Sequence, residues 1–311
     1  MKKISIVISV FNEESNIQEL VKEINKSKNP KFKYEIIFVN DGSSDASEDI
    51  IRNLCKADYE YKLLSFTKNY GHEMAMSAGM DMSSGDAVIF MDADLQHPPH
   101  IIKEMLQIWE GGKKIVLTKR SDNEDRRIIH KILSAIYYRA LNYLSEFNMQ
   151  TNTPDFRLID RYYVDILKRF RENSRLFRGI LYLIDASEDT ETIDFTAPKR
   201  FSGQSKYDFW ILLNLAIDSV IAFSIKPLRI ALALSIIIFI LSVMYGLFTL
   251  ISWSMGLMIV PGLTTIYLLI IILGSGNLLV LSVIGEYIGR IHIESKNRPL
   301  YTIRETVNFD E

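Results

Sequence analysis

Residues 87–96 carry the sequence AVIFMDADLQ, in which an apolar run leads directly into two aspartates and a glutamine. Such a run predicts a buried strand, Ala87–Met91, with Asp92, Asp94 and Gln96 at its carboxyl end. If the chain stays extended, these three side chains point to one side and gather two carboxylates and an amide oxygen. Oxygen ligands suit Mg²⁺ or Mn²⁺. The segment therefore predicts a divalent metal site; the alternative is a surface turn whose carboxylates cap a helix.

Strands and helices alternate on both sides of this segment. Apolar, β-branched runs predict strands at Ile4–Val10, Tyr34–Asn40, Tyr61–Phe66 and Ile115–Thr118. Helical spacing and capping residues predict helices at Glu14–Ser27, from Ser44 or Asp45 to about Ala57, at Glu73–Met82 and from about Pro99 to Trp109. This alternation predicts an α/β fold with a mostly parallel sheet flanked by helices. Ligands of such sheets bind beyond the carboxyl ends of the strands.

Polar residues follow the other predicted strands at that same edge. Asn12 and Glu13 follow the first strand, and Asp41 follows the second. The Asp41 carboxylate can accept a hydrogen bond from a base or a ribose, or it can simply begin a turn ahead of Gly42. His72 precedes the third helix and can touch a phosphate, but a lone exposed histidine is more often incidental.

Further candidate residues lie after the fifth strand. Asp155 follows Pro154 and can orient or deprotonate an acceptor, or it can hold a cation such as Arg157 in place. A phosphate monoester has a second pKa near 6, so it hardly requires a strong base. Two basic segments suit phosphate or anionic lipid headgroups: one contains Arg120, Arg126 and Arg127, and the other contains Arg200, Ser205 and Lys206.

Composition excludes several classes of protein. The chain has 311 residues and a net charge of -2, which argues against a nucleic-acid binder. The single Cys55 excludes an intramolecular disulfide and suits a reducing compartment. We see no signal peptide and expect the amino-terminal part to stay in the cytoplasm. The glycine-rich motifs of dinucleotide oxidoreductases and P-loop proteins do not occur.

Two uncharged runs, Ile230–Ser252 and Leu263–Ile284, are each longer than the roughly 20 residues that a helix needs to cross a bilayer. Basic residues flank them on the outer sides, which predicts a multi-pass hairpin with both termini in the cytoplasm. Before the hairpin, Tyr207–Ser224 has the pattern of an interfacial helix or of an ordinary core helix. We therefore predict four segments: a cytoplasmic catalytic domain at 1–206, an interfacial segment at 207–228, a transmembrane hairpin at 229–286 and a cytoplasmic tail at 287–311.

The motifs as a set resemble those of family-two glycosyltransferases. They are Ser9–Glu14 (SVFNEE), Val39–Asp45 (VNDGSSD), Asp92–Gln96 (DADLQ), Asp155–Leu158 (DFRL), Gly203–Tyr207 (GQSKY) and Gly285–Arg290 (GEYIGR). The most similar group is the polyprenyl-phosphate (bactoprenol) glucosyltransferases, which are related to dolichyl-phosphate mannose synthases. The resemblance covers almost the whole chain, and one departure is His72, where related sequences often carry lysine.

This resemblance implies a GT-A fold, a UDP-sugar donor, a homotetramer and specific residue roles. Metal binding falls to Asp92, Asp94 and Gln96, and catalysis to Asp94 and Asp155. Binding of the nucleotide-sugar falls to Val10, Asn12, Glu13, Asp41, Asp92 and Arg120. Binding of the acceptor phosphate falls to Arg127, Arg200, Ser205 and Lys206.

The function expected from these features is a metal-dependent, inverting transfer of a sugar from a UDP-sugar to a polyprenyl phosphate at the cytoplasmic membrane. Glucose is the expected sugar, and modification of a surface polysaccharide such as O-antigen or a cell-wall polymer is the expected use. Alternatives are the same reaction with UDP-N-acetylglucosamine, GDP-mannose or an aminopentose donor, a processive polysaccharide synthase, and a non-enzymatic membrane scaffold.

Overall fold

The computed structural model describes residues 1–121, 153–170, 172, 184, 186–196, 198, 226–255 and 262–309. These residues belong to two compact units. The first is an α/β unit formed by the described residues up to 198 together with 299–309. The second is a helical unit formed by 226–255 and 262–298.

The α/β unit has the following elements in chain order: β1 Lys3–Val10, α1 Ile17–Ser27, β2 Lys33–Asn40, α2 Ser47–Ala57, β3 Tyr61–Phe66, α3 His72–Met82, β4 Ala87–Asp92, a 3-10 helix Pro99–Ile101, α4 Ile102–Glu110, β5 Ile115–Arg120, β6 Arg157–Asp160, α5 Arg161–Leu167 and β7 Thr190–Phe195. The helical unit contains α6 Lys226–Ser254 and α7 Leu263–Ser295. The chain then returns to the α/β unit as β8 Ile303–Val307.

Within the described residues, one sheet contains these strands in the order β7-β5-β6-β4-β1-β2-β3-β8. Strand β1 pairs in parallel with both of its neighbours, β2 and β4. The β2–β3 and β5–β7 pairs are also parallel. Strand β6 runs antiparallel between β4 and β5, and β8 runs antiparallel beside β3. The predicted mostly parallel sheet flanked by helices is confirmed.

The sheet is buried because helices cover both of its faces. One apolar cluster contains Ile6 and Phe38, and a second contains Val7 and Phe90, so alternate residues of each strand face opposite layers. Helix α3 lies very close to the sheet at Gly79, where an added Cβ would lie 2.2 Å from a methyl group of Val7. The central strands are therefore rigid supports for the loops that follow them.

Helix α1 begins at Ile17 rather than at the predicted Glu14. Residues 13–16 form a turn, in which the Asn16 amide donates to the Glu13 carbonyl at 2.9 Å. The Glu14 amide donates to Asp45 at 3.2 Å, so the neighbouring loop holds the residues before Ile17. Helix α2 likewise begins at Ser47, three residues after the earliest predicted cap.

Helices α6 and α7 are both longer than the predicted spans. Helix α7 continues past Ile284 into a charged segment that ends at Ser295. There Glu286 and Arg290 form an ion pair at 3.0 Å, one helical turn apart. Among the described residues, two windows are long and apolar enough to cross a membrane: Leu228–Phe248 and Ile272–Ser295. The predicted interfacial segment up to residue 225 lies outside the described residues.

Candidate active site

The candidate site lies at the carboxyl-terminal edge of β1, β2 and β4, where the predicted polar residues converge. Strand β1 is central, and Ser9 stands beside Asp92 of β4 and beside Val39 of β2 in the sheet register. The Ser9 hydroxyl donates to the Asp92 carboxylate at 3.3 Å. Parallel pairing thus brings together residues that are about 80 positions apart in the sequence.

Asp92 is the last residue of β4, and the chain turns immediately after it. The expectation of an extended segment through Gln96 is wrong, because residues 93 and 94 form a turn and Leu95 has a φ of 62°. The Asp94 carboxylate accepts the Gln96 amide at 3.1 Å and so stabilises this turn. The strand alternation invoked for Asp92, Asp94 and Gln96 therefore does not apply beyond the first of them.

Gln96 faces a cation in this structure. Its Oε1 accepts a hydrogen bond from the Arg120 guanidinium at 3.2 Å. Arg120 is the last residue of β5, and its buried Nε has no hydrogen-bond partner among the described residues. A metal bound to Gln96 would have to share this oxygen with a guanidinium, whereas Asp92 and Asp94 carry the negative charge of the turn.

His72 occupies the space between two aspartates at this edge. Its Nδ1 lies 2.8 Å from the Ser9 hydroxyl and 3.5 Å from Asp92. Its Nε2 lies 3.4 Å from Asp155. Burial alone would lower the pKa of His72, but the Asp92 and Asp155 carboxylates outweigh burial and raise this pKa to about 9. The two neighbouring carboxylates therefore favour the protonated imidazole.

Asp155 forms a buried ion pair with Arg157. The two side chains are 4% and 3% exposed, and Arg157 Nη2 donates both to the Asp155 carboxylate and to the Pro154 carbonyl, the latter at 3.2 Å. This is the alternative in which Asp155 holds Arg157 in place. Because β6 runs antiparallel to β4 and sets Arg157 opposite Phe90, Asp155 reaches the edge where β4 ends.

Asp41 holds the loop that leads to His72. Its two carboxylate oxygens accept the amides of Tyr70 at 2.6 Å and Gly71 at 2.9 Å. Asp41 is buried, and burial raises its pKa against the lowering effect of these two bonds. An added Cβ at Gly42 would lie 2.7 Å from the backbone of residues 68 and 69, so Asp41 and its glycine neighbour seat this loop together.

The loops after β1 and β2 interlock at the same edge. The Asn12 side chain accepts the Ser44 amide at 2.8 Å, and the Glu13 amide donates to the Ser47 hydroxyl at 2.9 Å. Val10 has its side chain in the core and its carbonyl bonded to the Asp41 amide at 2.9 Å. Val10, Asn12 and Glu13 therefore build the rim of the site.

Four predicted acceptor-phosphate residues lie outside the described residues: Arg127, Arg200, Ser205 and Lys206.

The sequence profile described as Glycosyl transferase family 2 matches residues 5–167. The chain belongs to this family. The SfII prophage-derived bactoprenol glucosyl transferase of Shigella flexneri is 37% identical over 305 residues, which are 98% of this chain and 98% of that protein. The putative glycosyltransferase CsbB of Bacillus subtilis is 37% identical over 303 residues, covering 97% and 91% of the two chains.

Solved structures also align with this glycosyl transferase. Glucosyl-3-phosphoglycerate synthase from Mycobacterium tuberculosis, in complex with Mn²⁺, UDP-glucose and phosphoglyceric acid, is 16% identical. The alignment covers 71% of this chain and 78% of that one, with a TM-score of 0.48. No argument about activity follows from a likeness at this level. The family assignment confirms the predicted GT-A fold and the predicted class of enzyme.

The carboxylates of this glycosyl transferase fit a divalent ion that is shared with a substrate. Asp92 is 34% exposed and Asp94 is also partly exposed, so both can reach a ligand from the protein side. Within the described ranges there is no group of three or more histidine, cysteine or acidic side chains that could hold a metal by itself. This donor set suits Mg²⁺ or Mn²⁺, which commonly take one or two carboxylates and complete their coordination with phosphate oxygens and water.

Sequence reasoning treated His72 as incidental, and it did not single out Ser9 or His97. His97 is buried, stacks on Phe156 with ring centroids 5.2 Å apart, and accepts the Asp92 amide at 2.9 Å. It therefore fixes the backbone at the end of β4. The sequence feature that could have indicated a functional His72 is its position directly after Gly71, at the start of a helix. In the structure this position brings His72 to Asp92.

Proposed function

We propose that this glycosyl transferase moves a glucosyl residue from UDP-glucose to a polyprenyl phosphate. The observation that carries the proposal is the end-to-end match, at 37% identity, to a bactoprenol glucosyl transferase. Two described apolar helices of the chain fit an enzyme whose acceptor is a membrane lipid. The partly exposed aspartates at the end of β4 fit a donor that carries a diphosphate.

On the donor side, Asp92 and Asp94 are the proposed ligands of Mg²⁺ or Mn²⁺. When bound, such an ion offsets negative charge on the departing diphosphate. Arg120 supplies a second positive group at this edge, and Gln96 orients it through the 3.2 Å hydrogen bond. Gln96 remains a predicted ligand, but its contact with Arg120 favours this orienting role. Asp41 supports the donor site by fixing the loop at Tyr70 and Gly71.

On the acceptor side, a phosphate oxygen attacks the anomeric carbon directly, and UDP leaves with inversion. A phosphate monoester is largely ionised at neutral pH, so the nucleophile needs no strong base. We assign Asp155 a positioning role, because its carboxylate contacts Arg157 and His72. Arg127, Arg200, Ser205 and Lys206 remain the predicted contacts of the lipid phosphate.

The proposed location is the cytoplasmic face of a membrane, with α6 and α7 as the spanning hairpin. Lys226 and Arg229 at the start of α6, and Arg290 and Lys296 at the end of α7, support cytoplasmic ends by the positive-inside rule. Anchoring confines the search for a lipid acceptor to two dimensions. Assembly into a tetramer and use of the product in surface polysaccharide modification are further parts of this proposal.

The full-length protein in detergent, supplied with undecaprenyl phosphate and Mn²⁺, tests the reaction. Radiolabelled UDP-glucose, UDP-N-acetylglucosamine, UDP-galactose and GDP-mannose are compared as donors. We expect one labelled glucose per lipid. Preference for another donor overturns the choice of sugar, a ladder of longer products indicates a processive synthase, and the absence of any labelled lipid refutes the transfer reaction.

Asp94→Ala tests the metal assignment separately from transfer. We expect it to weaken Mn²⁺ binding in the presence of UDP, measured by electron paramagnetic resonance, by at least about tenfold, or about 1.4 kcal/mol. Asp165→Ala is the charge-matched control. Asp165 is 58% exposed and lies on α5. This helix begins directly after Asp160, which pairs with Ala87 at the start of β4, so Asp165 lies at the sheet edge opposite the site. Equal Mn²⁺ affinity in both variants would refute the assignment.

A further inference from the structure

The carboxyl-terminal segment contacts the loop that carries His72 into the site. That loop, Thr67–Gly71, follows β3 and ends where α3 begins. The Thr67 amide donates to the Thr302 carbonyl at 3.1 Å. The Tyr70 hydroxyl lies 3.3 Å from the Thr67 hydroxyl, and contacts with Thr302 and Thr67 lower the pKa of Tyr70. The loop is therefore bonded at both of its ends to residue 302 or its neighbours.

Aromatic rings extend this contact into the core. Phe66 is fully buried at the end of β3, and the Tyr301 ring stacks on it with centroids 5.2 Å apart. The Tyr70 ring packs edge-on against the same phenylalanine, with centroids 5.4 Å apart. The Tyr301 hydroxyl donates to Asp81 of α3 at 2.8 Å. Tyr301 thus touches the strand before the loop and the helix after it.

The segment is itself firmly held, so it can act as a support. Strand β8 pairs with β3, and Glu305 accepts two hydrogen bonds from Arg52, one of them at 2.8 Å. At the other end of β8, the Asn308 side chain donates to the carbonyls of Cys55 at 2.7 Å and Tyr61 at 2.9 Å. These contacts anchor the segment through α2 and β3, independently of the loop.

We propose that Tyr301 and Thr302 position the Thr67–Gly71 loop, and with it His72, for binding of the nucleotide-sugar. The loop lies between two supports: Asp41 accepts its amides on one side, and the carboxyl-terminal segment holds it on the other. His72 begins α3 directly after the loop and contacts Asp92 and Asp155. In the chain, the carboxyl-terminal segment follows α7, which ends at Ser295. This inference rests on the proposed function.

Amide hydrogen exchange of the full-length protein in detergent tests the positioning directly, without requiring turnover. Tyr301→Ala removes the ring on Phe66 and the hydrogen bond to Asp81. We expect it to speed exchange of the Tyr70 and Gly71 amides by about tenfold or more, because the loop then opens more often. Arg304→Ala is the control on the same strand; its side chain is 51% exposed and pairs with Glu48. We expect the control to leave loop exchange within about twofold of the wild type.

Steady-state kinetics tests the consequence for the donor. Tyr301→Ala should raise the KM for UDP-glucose by about five- to tenfold and change the KM for undecaprenyl phosphate by less than about twofold, a difference of roughly 1 kcal/mol in donor binding. A general loss of structure would instead lower the active fraction and leave both KM values unchanged. Equal shifts in both KM values, or loop exchange equal to that of the control, would overturn the inference.

Tyr70→Phe is the second variant, because Tyr301→Ala removes a large packed ring and can prevent folding. It keeps the ring on Phe66 and removes only the hydroxyl that hydrogen-bonds Thr67 and contacts Thr302. We expect exchange at Gly71 to rise about threefold, and an unchanged rate would refute the inference. If the wild-type protein transfers no sugar at all, the proposed function fails, whereas the exchange data still decide whether this segment positions the loop.

Discussion

Asp155→Asn separates a positioning role of this residue from a role as catalytic base. The substitution keeps the shape of the side chain and removes its charge. Arg157 is only 2% exposed, and its guanidinium donates to the Asp155 carboxylate and the Pro154 carbonyl. The variant would therefore leave a guanidinium in the core facing a neutral amide. It would also remove one of the two carboxylates that contact His72.

The expected cost follows from that burial. Removing one partner of a buried ion pair costs about 3–5 kcal/mol, because the remaining charge stays desolvated and loses its counter-ion. Replacing both partners by neutral groups of similar volume is often close to neutral. We therefore expect Asp155→Asn to lower the free energy of unfolding by about 3 kcal/mol or more, and the double variant Asp155→Asn with Arg157→Met to lie within about 1 kcal/mol of the wild type.

The assay is a double-mutant cycle on the full-length protein in detergent. Urea unfolding gives the free energies of the wild type, Asp155→Asn, Arg157→Met and the double variant, and transfer from UDP-glucose gives their activities. If the loss in Asp155→Asn arises from the unbalanced Arg157 charge, the double variant should recover at least about tenfold of the lost transfer rate, since about 1.4 kcal/mol corresponds to tenfold.

Two results would refute this reasoning. An Asp155→Asn protein that unfolds within about 1 kcal/mol of the wild type would show that the buried pair contributes little. A double variant that is fully stable but as inactive as the single variant would show that the carboxylate itself is required by the reaction, as a base requires.

Three further predictions concern the rest of the α/β unit. Burial raises the pKa of Glu35, but hydrogen bonds from Lys3, Ser5, the Ser84 amide and Lys62 outweigh burial and lower this pKa from 4.5 to about 2. The resulting stabilisation of about 3 kcal/mol is complete above pH 4.5 and is lost as the pH falls toward 2; Glu35→Gln should remove this pH dependence from urea unfolding, and an unchanged dependence would contradict it. His72→Lys should keep the kcat/KM for transfer within about tenfold of the wild type, because lysine also places a positive charge beside Asp92 and Asp155. His72→Ala should lower kcat/KM about 10- to 100-fold. Equal kcat/KM values for the two variants would show that the charge at position 72 does not contribute to transfer. Gly42→Ala should raise the KM for UDP-glucose several-fold, because Gly42 has a φ of 70° and an added Cβ would lie 2.7 Å from the Asn69 amide. An unchanged KM in a variant whose loop has not moved would contradict this prediction.

The alternation of strands and helices was predictable because local patterns specify it. The apolar runs before Asn12, Asp41 and Asp92 mark three parallel strands, and parallel strands bring their carboxyl ends to one edge. The two long uncharged runs were also predictable, because their length and composition alone indicate apolar helices. Family membership followed from motifs that lie at these same strand ends.

Local patterns failed where contacts between distant residues decide the outcome. Strand β8 is short and its residues are mostly exposed, so it lacks the apolar signal of a buried strand. It forms because Arg52 pairs with Glu305 and because β3 pairs with its backbone. Arg52 and β3 lie about 250 residues earlier in the chain. The start of α1 shifted to Ile17 for the same kind of reason, since Asp45 takes the Glu14 amide.

Local sequence patterns were sufficient to predict strands β1 to β5, the apolar helices and the placement of Asp92 at a strand end. The contacts of His72, Asp155 and Asp41 became visible only in the folded chain. Periodicity reports which face of an element is buried, but the charge on His72 and the partner of Asp155 depend on which loops meet in space. The antiparallel return of β6 sets Arg157 beside β4, and no pattern within either segment specifies that meeting.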